Sequence, residues 1–166
     1  MAGLRERLEF DAELGEYRDH GIRYMMLRAD ALMGILHELP AALRPQVLEA
    51  FARSITRQGG KSAAAYRAAG AASSAALVET IQETAPQLGW GRWSMQLHED
   101  GIDLVVANSP FVAGYGPCET PVCHPIIGML TAVGRMALGC EVVVQESGCA
   151  CMDTYDHCRF TVRRAG

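Results

Sequence analysis

Ten side chains between residues 118 and 158 carry sulfur, nitrogen or oxygen atoms suited to a metal: Cys118, Cys123, His124, Cys140, Glu146, Cys149, Cys151, Asp153, His157 and Cys158. Several fall in one short run, ESGCACMDTYDHCRF, residues 146–160. Zinc needs about four such ligands at about 2.0–2.3 Å in a tetrahedron. The spacing matches none of the paired C-x-x-C finger patterns, so a site here has to be assembled from separate segments. Cys149 and Cys158 flank a short loop between two predicted strands and would bring two thiols to one end of a sheet. Cys123 precedes a predicted helix, whose positive end favours a thiolate, which makes it a third ligand from a distant segment. Glu146, just before the loop, offers a carboxylate oxygen.

Blander roles compete for the remaining candidates. His124, before Pro125, caps the helix. His157 reads as a solvated neighbour of Asp156, Cys140 as a small buried hydrophobe, and Cys118 as a free thiol in a loop. The methionines at 25, 26, 33, 95, 129 and 136 read as core filler. The N-terminal MAGLRERLEF lacks the apolar stretch of a signal peptide, and no run reaches the roughly 18–20 apolar residues of a membrane span. The expected location is therefore cytoplasmic, where clustered cysteines serve metals or catalysis more often than a disulfide framework.

These residues must be positioned by the elements around them. Leu4, Leu8, Phe10 and Leu14 give a modest helical pattern, predicting a helical extension over residues 1–20. GIRYMMLR (21–28) reads as a short strand. Asp30 to Leu39 reads as a helix stopped by Pro40. Leu43, Val47, Leu48, Phe51 and Ile55 continue at helical spacing, with Gly59-Gly60 as an expected interruption. A third helix carries Leu77, Val78 and Ile81, and the Ala-rich stretch 63–76 suits helix formation and close approach. From residue 92 the period becomes two, and Asp100-Gly101 signals a tight hairpin turn. FVAGYGPCETPVC (111–123) reads as a Gly/Pro-rich loop. HPIIGMLTAVGRMALG reads as a buried helix ending at Gly139; Gly128, Ala132 and Gly134 on it call for a close neighbour: backbone, a second subunit or a ligand. CEVVVQES and HCRFTVRR are strands, the latter with Phe160 and Val162 inward. The class is α+β: N-terminal helices packed on a mostly antiparallel four-stranded sheet in ββαββ order.

A length of 166 residues supports one domain with a real core. Its net charge of −4, with no basic stripe, excludes a nucleic-acid partner on composition.

GWGRWSM, VVANSPF, PVCHPIIGMLTAVGRMALGCEVVVQESGC and DHCRF, with GIRYMMLRADALMGILHEL upstream, resemble the 4-vinyl reductase domain family, also called the predicted hydrocarbon-binding domain. The likeness spans roughly residues 21–163, and 21–166 is expected to form its ligand-binding domain. It implies a fold similar to trafficking-particle (TRAPP) subunits, often dimeric, with an apolar cavity between helices and sheet. The family includes sensor domains of phenol- and xylene-responsive regulators, in which a structural zinc is held by a cysteine at the buried helix, a glutamate and two later cysteines. The matching positions are Cys123, Glu146, Cys149 and Cys158. The loop after Cys149 is one residue longer than the family's, so Cys151 stands as an alternative to Cys149. Pro110 replaces a Trp of the aromatic sensors.

The expected function is binding of a small hydrophobic or aromatic molecule, as a sensor or carrier and as a homodimer, in a pocket of Trp93, Phe111, Tyr115, Ile127, Leu130 and Val144. Four protein ligands leave zinc no open position, so the metal is expected to be structural. The alternative is an enzyme or accessory protein of tetrapyrrole (4-vinyl reduction) or aromatic metabolism. Against it, neither a dinucleotide fingerprint nor a nucleophile elbow is found.

Overall fold

The computed structural model describes residues 3–68, 70 and 73–166. A one-turn helix α1 (Leu4–Arg7) leads into strands β1 (Glu9–Asp11), β2 (Glu16–Asp19) and β3 (Ile22–Tyr24). Helices α2 (Ala29–Gly34), α3 (Arg44–Ala68) and α4 (Ser74–Gln87) follow, with a 3-10 turn at Ala41–Leu43. Strands β4 (Arg92–Leu97) and β5 (Gly101–Ala107), helices α5 (Pro110–Tyr115) and α6 (His124–Leu138), and strands β6 (Val142–Gly148) and β7 (Cys158–Arg164) complete the chain.

The α+β class and the four-stranded antiparallel sheet hold, with strand order β4-β5-β7-β6. Period-two patterning sets its register. Trp93, Val106 and Cys158 form one cross-strand row; Met95, Leu104, Phe160 and Glu146 form the next. Ile102, Leu104, Val106, Cys158, Phe160 and Val162 are all buried on this face. Helix α6 covers it, and α3 and α4 pack on α6 from the far side. Gly139 closes α6 in a left-handed conformation, as expected (φ 69°).

The small residues of α6 are used inside the protomer. A Cβ on Gly128 would lie 2.3 Å from the Ala52 carbonyl oxygen of α3, and one on Gly134 would lie 2.7 Å from Val162 Cγ1. Backbone and side chains of this chain therefore fill the space. The Thr56 hydroxyl bridges the α3–α6 contact, bonding Ala52 O at 2.9 Å and Gly128 O at 3.0 Å.

Four expectations change. The helix predicted over 1–20 is confined to Leu4–Arg7, and β1-β2-β3 form an antiparallel meander. Asp11 accepts from the Glu13 and Leu14 amides and Gly15 takes φ 63°, a turn signal stronger than the modest helical pattern. Buried Glu16 and Asp19 then pair with Arg18, Arg23 and Arg7. Gly59-Gly60 do not interrupt α3. Within 111–123 the chain forms α5, with Pro110 at its first turn, where the missing N–H costs nothing. The hairpin turn centres on Glu99-Asp100, since the His98 amide donates to the Gly101 carbonyl (2.8 Å). Gly101 instead serves close strand approach: a Cβ there would sit 2.2 Å from the Val162 carbonyl oxygen.

Candidate metal centre and ligand cavity

Cys123 caps the N-terminus of α6, Glu146 lies on the covered face of β6, and Cys149 and Cys158 bound the loop between β6 and β7. A bulge between Glu146 and Gly148 adds a residue to β6, re-aiming the chain so that Cys149 turns back toward Cys158. One ligand atom from each of the four residues lies within 4.8 Å of every other. The thiols are fully buried. Their sulfurs form a nearly equilateral triangle: Cys123–Cys158 3.6 Å, Cys149–Cys158 3.8 Å and Cys123–Cys149 3.9 Å.

That triangle meets a simple geometric condition. Sulfurs bound at about 2.3 Å to one tetrahedral ion lie ~3.8 Å apart. Glu146 Oε2 accepts the Cys123 amide (3.2 Å), while the buried Oε1 has no hydrogen-bond partner among the described residues. Three thiols and an orphaned carboxylate oxygen form a donor set that fits a metal ion and leaves polar atoms unsatisfied without one. The surroundings are tuned as well. Ser109 Oγ is 3.2 Å from Cys123 Sγ, and the Ala150 amide donates to Cys158 Sγ (3.4 Å).

The electrostatics agree. Hydrogen bonds from Cys123 and Cys149, with the Ala150 amide, bring Cys158 down to about 4. Cys123 is pushed up, first by its bonds to Cys149 and Cys158 and then by burial. Burial, and secondly Cys149, push Glu146 up to about 9. The protein alone thus gathers negative charge on one thiolate and resists more; only a cation lets the whole set ionise.

The other sulfur and nitrogen candidates stand apart from this group. Cys151 and Cys118 form a disulfide, against the expectation of a free Cys118. Their Cα atoms are 5.3 Å apart, inside the usual bridging range, and the Cys118 amide bonds the Cys151 carbonyl at 3.1 Å. Cys151 Sγ lies 3.3 Å from Cys149 Sγ but outside the four-residue cluster. Burial lowers the His124 pKa, and its Nδ1 has no partner among the described residues. Cys140 is half-buried beside the Arg164 guanidinium (3.3 Å). Asp153 is exposed and His157 half-buried in the loop.

A cavity of about 540 Å³ lies on the other side of α3 and α4. The apolar part of its wall includes Ile55 and Ala63 of α3, Ile81 and Ala85 of α4, Trp90, Trp93 and Met129. Tyr24 and Met25, at the end of β3 and just after it, close one side. Of the six residues expected in a pocket, Trp93 lines this one. Phe111 stands behind it, edge-on to Trp90 at 5.2 Å. Tyr115 stacks on His37 (4.5 Å), Leu130 is buried in the α6 core, Ile127 shares that helix, and Val144 sits half-buried on β6. The wall does have a signal in the sequence. Ile55, Gly59, Ser62 and Ala63, and likewise Ile81, Thr84, Ala85 and Leu88, repeat at helical spacing with small side chains where two helices face each other.

Residues 102–164 match the family model of the 4-vinyl reductase domain, which bears out the sequence resemblance over the part that holds the cluster. The phenol-responsive sensory domain of the transcription activator PoxR, solved with phenol, has the same fold. It superposes with a TM-score of 0.79 over 97% of this chain and 86% of that one, at 19% identity. Trafficking protein particle complex subunit 3 from Naegleria fowleri, covalently bound to palmitic acid, superposes with a TM-score of 0.55 over 83% of this chain and 95% of that one, at 12% identity. No curated protein sequence matches the chain.

Proposed function

We propose that this chain is a small-molecule-binding domain that takes an apolar or aromatic ligand in the cavity between α3, α4 and β4 and acts as a sensor or carrier. The cavity itself carries this reading: its volume of about 540 Å³ falls in the roughly 300–1,000 Å³ range of ligand sites, with mostly apolar walls and few polar groups. The match to the 4-vinyl reductase domain and the fold shared with a phenol-responsive sensory domain support it. Cys123, Glu146, Cys149 and Cys158 would hold a zinc ion, which would tie the start of α6 to the β6–β7 loop with no ligand position left for chemistry.

The two halves of the proposal meet in the sheet. Cys158, Val106 and Trp93 share one cross-strand row, so the strand end fixed by the cluster also sets the wall of the cavity. Both tryptophans of the chain line the cavity, so their fluorescence reports on its contents. Titration with small aromatics such as phenol, toluene and indane should give a saturable spectral change that Ser62→Phe, which fills the cavity, abolishes. A linear, unsaturable response equal in both proteins contradicts the proposal.

A further inference from the structure

We infer that the ligand is an amphipathic acid, with an apolar body inside the cavity and an anionic head at Lys61; this rests on the binding role proposed above. Among the cavity-lining residues Lys61 alone carries a formal charge, and no carboxylate lines the wall. It is the single lysine of the chain, and no ion pair holds it among the described residues.

The distribution of polar groups decides which end of a ligand goes where. Donors deeper in the wall are already committed. The Thr84 hydroxyl donates to the Thr80 carbonyl (2.7 Å), and Trp93 Nε1 donates to the Trp90 carbonyl (3.0 Å). A polar group pushed inward would lose its water and gain little, at a high cost for an ion. Gln58, Lys61 and Ser62, by contrast, fall at i, i+3 and i+4 on one face of α3, a cation flanked by an amide and a hydroxyl. Lys61 and Gln58 are exposed although they line the cavity, which puts them at its opening. There a carboxylate keeps part of its hydration while its chain or ring replaces water against Trp90, Trp93, Ile81 and Met129. The cavity also exceeds the needs of a single ring, leaving room for a ring with a side chain that reaches the opening.

Matched probes test this: 4-phenylbutyrate and 4-phenylbutanol share a skeleton and differ in the charge of the head. Titrated into the intact protein and followed by tryptophan fluorescence, the acid should bind about fivefold more tightly at low ionic strength, the scale of an exposed ion pair. The preference should shrink as salt is added. Lys61→Met should remove the preference while leaving the alcohol's affinity within about twofold, and Lys61→Arg should retain it. The acid, and not the alcohol, should also shield Lys61 from acetic anhydride, read by peptide mass. Equal affinity for both probes, or a preference that survives in Lys61→Met, overturns the anion inference while the cavity role stands. If neither probe changes the fluorescence, the binding role fails and the inference with it.

Discussion

Replacing Glu146 by Gln separates a metal-ligand role from a buried hydrogen-bonding role by the sign of its effect. The substitution keeps the size of the side chain and an oxygen that accepts the Cys123 amide (3.2 Å in the native protein). Without a metal, Glu146 titrates near 9 against an ordinary 4.5, so at pH 7 the folded protein holds a proton that the unfolded chain releases. At 1.36 kcal/mol per pH unit that costs about 3 kcal/mol at most, which a neutral amide avoids. With a metal, the same change weakens one ligand of four. A loss of at least 10–100-fold in metal affinity is the expected scale, about 1.4–2.8 kcal/mol. Urea unfolding at pH 7, with zinc content by mass spectrometry, should therefore show Glu146→Gln less stable than the native protein as purified. After chelation the order should reverse. A variant already more stable before chelation, with unchanged zinc, would refute the ligand role of Glu146.

The remaining predictions follow from the same geometry. Cys123→Ala, Cys149→Ala and Cys158→Ala should each lose zinc on purification and melt at lower temperature, whereas Cys151→Ala should keep about one equivalent; metal analysis across the set checks this. In chelated protein the pH dependence should be shallow between about 4.5 and 9, because two opposite effects overlap. The raised Glu146 contributes stability that is present below about 4.5 and is lost as pH rises toward 9. The lowered Cys158 contributes stability that is present above about 9 and is lost as pH falls toward 4. Zinc-loaded protein should instead gain stability steadily with pH as protons stop competing for the ligands; melting curves with and without chelator distinguish the two. Gly128→Ala, placing a methyl 2.3 Å from the Ala52 carbonyl, should cost about 3 kcal/mol by forcing α3 from α6, measured by urea unfolding.

The cluster was legible because its ligands announce themselves chemically and its elements have clean periods. Phe160 and Val162 alternate with Arg159 and Thr161, which fixes the face of β7 and places Cys158 inward. The apolar helix after Cys123 has a sharp left-handed stop at Gly139. Two features resisted. The N-terminal meander depends on turn chemistry at Asp11 and Gly15 and on ion pairs that form only when the strands meet. The cavity is bounded by an absence of bulk at Gly59, Ser62, Ala63 and Ala85, and small residues read equally well as close helix packing. Gly128 is of that second kind, and residue type alone does not separate it from Gly59, which both lines the cavity and crowds Met129 (2.9 Å for a Cβ). The Cys118–Cys151 pairing escaped because the two lie 33 residues apart, and only the fold brings them together.

Native mass spectrometry of protein taken directly from cells tests the central claim most directly. The proposal predicts a chain carrying one zinc ion and, in a fraction of molecules, an added apolar compound that leaves on unfolding and is missing from Ser62→Phe. A bare chain mass, with no zinc and no compound taken up when small aromatics are supplied, contradicts it.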